Sequence, residues 1–369
     1  MKMCSAYTCD GHDVSAFVSS GDVENPSRDE ICSYYSISSD VKIKIFKKSS
    51  SHYFNKVVHR FIMPMNAGAR RPDFVHTRNL TTAWGCARYF RLPVIYEAHD
   101  APDRDPKILR LFSKVIASKA LLGLVTITEA LADHLQQFVP GNLPVLIAPD
   151  GVDQCALASS QDKEISRRHL DLGLETRRIA VYTGHLYPGR GIELIMEIAP
   201  RLHDYLFLLV GGTEQDLARW RSQTSALDNV RFPGFCAPSE VCHYQRAADV
   251  LLMPYADRVA VAGGGGNTAP FASPLKMFEY MAAGQPILSS QLPVLREIIE
   301  HDRNALMLPY DDAEAWVGAL RQLSSDPVLG NRLGSQARLD VERYTWESRA
   351  RNLIDFVGSV AERKRQYAR

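Results

Sequence analysis

Short apolar runs rich in β-branched residues recur along the chain, and longer stretches with apolar positions at helical spacing lie between them. This alternation predicts parallel strands covered by helices. In the first half the runs fall at Val14–Val18, Val41–Phe46, Phe74–His76, Val94–Tyr96, Leu124–Ile127 and Val145–Ile147, with helical patterns at Thr81–Phe90 and Glu129–Phe138. The second half repeats the scheme at Ile179–Tyr182, Leu206–Val210, Val230–Phe232, Val250–Met253 and Ile287–Leu288, with helices near Ile192–Leu202, Ser239–Ala247 and Ala313–Leu323. The expected architecture is α/β: two Rossmann-like domains, 1–152 and 178–345, with a polar connection over 153–177. In the closing segment 346–369, Ala350, Leu353, Ile354 and Val357 share one helical face.

The segment from Ser273 to Pro286 carries the most specific chemistry. Ser273 suits an N-cap and Pro274 the first helical position, which leaves the N–H groups of Leu275 and Lys276 open to an anion, and Lys276 adds a full charge there. Leu275, Phe278 and Ala282 follow helical spacing toward a core, Gly284 closes the helix, and Glu279 sits about a turn and a half along. This stretch closely resembles the signature of the family 4 glycosyltransferases, which have the GT-B fold and transfer sugar from a nucleotide donor with retention of configuration. The resemblance covers most of the chain from about Gly11. It implies two domains facing a cleft, donor bound mainly by the second and acceptor by the first, with the C-terminal helix crossing back to the first. It assigns Glu279 to the ribose hydroxyls. The family's companion glutamate would fall on Phe271, which cannot accept a hydrogen bond, so the chain resembles the subgroup with only the later glutamate.

Strand Ile179–Tyr182 runs into Thr183-Gly184-His185-Leu186-Tyr187-Pro188-Gly189-Arg190-Gly191, the outline of a phosphate-binding turn. Gly184 lets backbone approach a phosphate, and Arg190 can grip two of its oxygens. The resemblance places the donor diphosphate on Arg190 and Lys276. His185 stands where the family usually has arginine and brings at most partial charge at neutral pH. In the first half, strand Val94–Tyr96 ends in Glu97-Ala98-His99-Asp100, and strand ends are where α/β folds place ligands. His99 matches a family histidine that hydrogen-bonds the transferred sugar. Glu97 and Asp100 suit capping or salt bridging, and a glycosidase pair ranks low because nothing fixes the carboxylate separation such a pair needs. The run Gly263–Gly266 suggests either a lid over the donor sugar or a plain connector. Lys42, Lys44, Lys47 and Lys48, with Phe46 and Tyr53 nearby, form a basic, aromatic-bearing stretch on the side that receives the acceptor in the family, where it can touch anionic lipid.

The resemblance also exposes a departure. Ala6 to Val14 reads as the end of a helix, a cap at Gly11 and a strand, matching the family's first helix and second strand. The family's first strand and its glycine-rich loop have no counterpart. That strand lies mid-sheet, and its loss would orphan the backbone groups of two neighbours. The readings are a start codon assigned too late, which is preferred, a truncated domain, or a rearranged sheet that closes the gap.

With 369 residues and 46% hydrophobic content the chain can bury two cores. A net charge of +1 argues against a nucleic-acid partner. Seven cysteines, with no C-x-x-C pair, suggest scattered thiols in the cytoplasm, and no run is long enough to span a bilayer, which leaves peripheral contact with the inner membrane face. The expected activity is retaining transfer from a nucleotide-diphosphate sugar to a glycan or lipid-linked acceptor, with His99, Arg190 and Lys276 as catalytic groups, Gly184, His185, Arg190, Ser273, Pro274, Leu275, Lys276 and Glu279 binding the donor, and neither metal nor cofactor. A catalytically silent nucleotide-sugar-binding protein and a sugar-nucleotide epimerase are the alternatives.

Overall fold

The computed structural model describes residues 1–20, 26–38, 40–158, 163–173, 175–224, 227–260 and 267–367. Its contacts divide the chain into two compact units, Met1–Pro149 with Trp346–Arg369, and Asp150–Thr345. No helix among the described residues is long and apolar enough to cross a membrane.

Among the described residues the first unit carries six parallel strands in two separate sheets. β1 (Ser15–Ser19) pairs with β2 (Lys42–Phe46), and β3 (Val75–Thr77), β4 (Val94–Ala98), β5 (Leu121–Thr126) and β6 (Val145–Ile147) form the second sheet in that order. Numbered as a doubly wound sheet, the gap falls where its first strand would lie. The remaining strands do not close it: among the described residues no ladder joins β1 or β2 to β3, which removes the rearranged-sheet reading. β4 is buried along its whole length, its single charged residue Glu97 included, whereas β1 buries only Ala16 and β2 has no fully buried residue. Helix Lys2–Cys9 packs Ala6 and Tyr7 against Ala350 and Leu353 of helix Trp346–Tyr367, and Ile95 and Val125 complete that core.

Among its described residues the second unit has one six-stranded parallel sheet built from β7 (Arg178–Thr183), β8 (Tyr205–Val210), β9 (Val230–Gly234), β10 (Val250–Met253), β11 (Ile287–Ser290) and β12 (Leu306–Leu308). The order β12-β11-β10-β7-β8-β9 is the doubly wound order, and it reverses between β7 and β10. Five of these strands follow the apolar runs of the sequence to within about two residues; three-residue β12 was not anticipated. Tyr182, Ile195, Phe207, Leu252, Leu288 and Trp316 anchor the core beneath the sheet. Residues 150–177 include helices Gln154–Ala158 and Lys163–His169. The second of these is tied to the unit through Lys163 and Arg167, which pair with Asp249 at 2.5 and 2.6 Å.

Candidate active site

In open α/β sheets, ligands collect at the carboxyl ends of strands where the strand order reverses. In the second unit that point lies between β7 and β10, and the loops leaving these strands converge there. Gly184 follows β7 with φ +125°, a conformation other residues rarely adopt. A Cβ at this position would lie 3.0 Å from Lys276 Nζ, so the bare backbone is what leaves room for the lysine.

Lys276 is carried by helix Leu275–Ala283, which starts one residue later than the sequence pattern suggested. Pro274 occupies the N-cap rather than the first helical turn, and Ser273 does not cap it: the Ser273 hydroxyl instead accepts from the Asp150 N–H at 3.1 Å. A further correction concerns Leu275, which is exposed, while Phe278 and Ala282 are buried as the spacing predicted. The N–H groups of Leu275 and Lys276 still precede the first intrahelical bonds, since Met277 is the first to donate back, to Pro274 O. Gly284 ends the helix in the left-handed conformation at φ 69°.

The Lys276 ammonium is buried with no hydrogen-bond partner among the described residues. It lies 3.7 Å from the centre of the Tyr182 ring and 5.1 Å from that of Tyr255. Burial, then the nearby Arg190 charge, pulls its pKa well below the ordinary lysine value, against a smaller opposing pull from Glu279. Arg190 stacks on the same Tyr255, 5.1 Å from its ring centre, and donates to the Tyr255 hydroxyl at 2.9 Å. Its Nε is also buried without a hydrogen-bond partner among the described residues. Two basic side chains thus lie against the Tyr255 ring in a desolvated setting beside an open helix N-terminus. Such an arrangement is costly until an anion joins it.

Glu279 lies on the same helix, half-buried, and its Oε2 accepts from Gln245 Nε2 at 2.9 Å. Gln245 is buried on helix Pro238–Ala247 and also reaches the Thr183 hydroxyl at 3.4 Å, while Thr183 N–H donates to the Tyr280 hydroxyl at 2.8 Å. This chain of hydrogen bonds fixes the Glu279 carboxylate relative to β7. The His185 ring stacks on Tyr187 at 4.7 Å, and its pKa is lowered by partial desolvation and then by the charges of Arg190 and Lys276, which favours the neutral imidazole. Phe271 ends a short 3-10 turn, Ala269–Phe271, and Gly263–Gly266 lie outside the described residues.

Gly184, Arg190 and Lys276 are thus brought together, with Glu279 on the helix that carries Lys276. His99 lies in the first unit, at the end of β4, within a second buried cluster. Glu97 Oε2 lies 2.8 Å from His76 Nε2 and 3.0 Å from Arg349 Nη2, and its Oε1 lies 2.6 Å from His99 Nε2. Tyr7 Oη lies 3.1 Å from His76 Nδ1. Burial opposes ionisation of Glu97, but the hydrogen bonds from His76 and His99, with the charge of Arg349, outweigh it and hold the carboxyl well below its usual range. Tyr182, Tyr255 and Gln245 were missed in the sequence, as was the linking role of Glu97. Tyr255 follows a strand end at the reversal point and was detectable by that rule. Gln245 gave no signal in a mostly polar helix.

Among the described residues, one group of metal-ligating types occurs, His169, Glu240 and His243. The two rings stack at 4.1 Å, and His169 Nε2 lies 2.9 Å from Glu240 Oε2. The group is thus a hydrogen-bonded His169–Glu240 pair with the His243 ring stacked on it.

Residues 177–326 match the family of group 1 glycosyl transferases. The D-inositol 3-phosphate glycosyltransferase of Streptomyces bingchenggensis is 24% identical over 327 residues, covering 80% of this chain and 68% of that protein. Among solved structures, sucrose-phosphate synthase from Thermosynechococcus elongatus aligns with a TM-score of 0.76 at 17% identity, over 98% of this chain and 92% of that one. Anabaena Alr3699/HepE, solved in complex with UDP, aligns at 0.71 with 15% identity, over 94% of this chain and all (100%) of that one. The chain therefore has the GT-B fold of glycosyltransferases, and the segment that matches the group 1 family is the one that supplies the whole Lys276 cluster.

Proposed function

We propose that the protein is a retaining glycosyltransferase that moves a sugar from a nucleotide-diphosphate donor to a glycan or lipid-linked acceptor, in polysaccharide or glycoconjugate synthesis. The observation that carries this reading is the pair of buried cationic atoms, Lys276 Nζ and Arg190 Nε, that lack hydrogen-bond partners among the described residues. Buried donors are ordinarily satisfied, and a diphosphate would satisfy both. The likeness in fold to a protein solved with UDP and with UDP-glucose supports a nucleotide sugar as that ligand.

As the bond from the anomeric carbon to the phosphate oxygen breaks, negative charge develops on the departing diphosphate. Arg190, Lys276 and the N–H groups of Leu275 and Lys276 stabilise it, each well-aimed donor contributing about 3 kcal/mol, or roughly 10²–10³ in rate. The acceptor hydroxyl is the nucleophile, and its proton passes to the leaving phosphate oxygen. Glu279 accepts from the ribose hydroxyls, Gly184 admits the phosphate to the backbone, His185 acts as a neutral polar contact, and His99 hydrogen-bonds the transferred sugar. The two cations supply the charge that a divalent ion would otherwise bring, so the reaction requires no metal.

We place the protein in the cytoplasm with peripheral contact to anionic lipid. In the first unit the exposed Tyr53, Phe54, Phe61 and Met65 accompany Lys56 and Arg60, a composition suited to a membrane interface. Of the nearby lysines, Lys42 is engaged with Asp13 at 2.6 Å and Lys44 with Asn66.

Thermal-shift measurements with UDP-, GDP- and ADP-sugars, followed by transfer assays, test the reading. One donor should stabilise the wild type. Glu279→Ala should raise the donor KM, and Lys276→Ala should mainly lower kcat. Absence of any stabilising donor, or unchanged kinetics in both variants, would overturn the assignment.

A further inference from the structure

The buried cluster around Glu97 determines which nitrogen of His99 can meet a ligand. An ionised carboxylate only accepts hydrogen bonds, so both imidazole nitrogens in contact with Glu97 must carry protons: His76 Nε2 at 2.8 Å and His99 Nε2 at 2.6 Å. The charge of the carboxylate is already balanced by Arg349, whose Nη2 lies 3.0 Å from Oε2. Arg349 is itself fixed, donating from Nε to Pro149 O at 2.9 Å and from Nη2 to Ala148 O at 3.0 Å. His76 needs no charge either, because the buried Tyr7 hydroxyl, 3.1 Å away, can donate to its Nδ1. Neither ring therefore has to be cationic to satisfy the cluster.

We propose that Glu97 is a positioning residue that holds His99 as the neutral tautomer protonated at Nε2, so that Nδ1 is presented as a hydrogen-bond acceptor. The His99 side chain is 32% exposed, which leaves part of the ring open to a ligand, whereas Glu97 at 8% is sealed beneath it. An acceptor nitrogen selects a ligand that brings a hydrogen, such as a sugar hydroxyl. It disfavours a phosphate or carboxylate oxygen, which would need an imidazolium. The inference rests on the proposed glycosyl transfer for the identity of that hydroxyl, and it names the chemistry by which His99 recognises it. Acid-base partners that face the cluster come from four elements: Tyr7 on the first helix, His76 on β3, Glu97 and His99 on and after β4, and Arg349 on the last helix. All belong to the first unit.

Long-range 1H–15N spectra of the full chain labelled with 15N-histidine report the tautomer directly, with the His99 signals assigned by their loss in His99→Gln. The expected result at pH 7.5 is a neutral His99 with its proton on Nε2. A proton on Nδ1, averaging between tautomers, or an imidazolium would each overturn the proposal. In Glu97→Gln, whose amide can donate as well as accept, the His99 signals should average, and kcat with the stabilising donor should fall about 10–100-fold at a donor KM within about twofold, as for orienting groups behind metal ligands. Unchanged His99 signals in a folded Glu97→Gln variant would also overturn it. The wild-type spectrum needs neither the variant nor a substrate. A protein that turns over no nucleotide sugar yet shows the Nε2 proton would refute glycosyl transfer and leave the positioning intact.

Discussion

Lys276 Nζ lies 3.7 Å from the centre of the Tyr182 ring, so an ammonium group rests on an aromatic face where a bound diphosphate would offer it full negative charge. A ring face attracts a cation by only about 0.5–2 kcal/mol, far less than it loses on leaving water. The second unit therefore holds this group at a cost to its own stability. Replacing Lys276 by Met, similar in length and uncharged, should raise the Tm by about 2–4 °C, equivalent to about 1 kcal/mol for a unit of this size. The same variant should lose about 10²–10³ in kcat. Calorimetry and a transfer assay on one preparation check both; a lowered Tm would contradict the account.

Donor binding should take up a proton. Burial, reinforced by Arg190, depresses the Lys276 pKa in the free protein, and a diphosphate beside it would raise that value. Between the two values the complex binds more protons than the free site, so affinity falls as pH rises through that window. Titrating UDP into the protein across a series of pH values, in buffers of different ionisation enthalpy at each, should reveal a window of net proton uptake, abolished in Lys276→Met. Zero or negative uptake in the wild type would count against it.

Gln245 should act through Glu279. Its 2.9 Å hydrogen bond orients the carboxylate that would meet the ribose, and a hydrogen bond to a charged group is worth about 1.5–3 kcal/mol. Gln245→Leu should raise the donor KM about 10–100-fold and leave kcat nearly unchanged. An equal fall in kcat would show that the network serves the chemical step instead.

In the first unit, Arg349→Leu would leave the buried Glu97 carboxylate short of its balancing charge, at a cost of about 3–5 kcal/mol. The pH dependence follows from the depressed Glu97 pKa. Its contribution is fully present above the ordinary carboxylate value of 4.5 and is lost as pH falls through the lower folded value. Without the arginine the folded value moves up, so acid unfolding should begin at higher pH. Denaturant titration at pH 7 and an acid titration followed by circular dichroism measure both, and an unchanged acid midpoint would show that Arg349 does not stabilise the carboxylate.

Much of this was legible in the sequence because buried parallel strands must be continuously apolar: Val250–Met253 was bounded to the residue. The glycine-bearing turn after β7 and the Lys276 helix were legible for a similar reason, since glycine and proline leave strong local marks. What escaped notice depends on distant partners. The Ser273 hydroxyl was expected at its own helix, but Asp150, more than a hundred residues away in sequence, takes it. Leu275 has the right spacing for the core yet, as the first residue of its helix, is 48% exposed. Glu97 and His99 are two apart at a strand end and so share a face, but only the fold brings His76 and Arg349 to them.

The divided sheet of the first unit has a dynamic consequence. β1 and β2 have only each other as ladder partners among the described residues, whereas β4 and β5 are each flanked on both sides. A lone strand pair contributes little cooperative resistance to opening. Amide deuteration should therefore reach residues 15–19 and 42–46 orders of magnitude sooner than 94–98 and 121–126, dividing this half of the protein into an early-opening flap and a late-opening kernel.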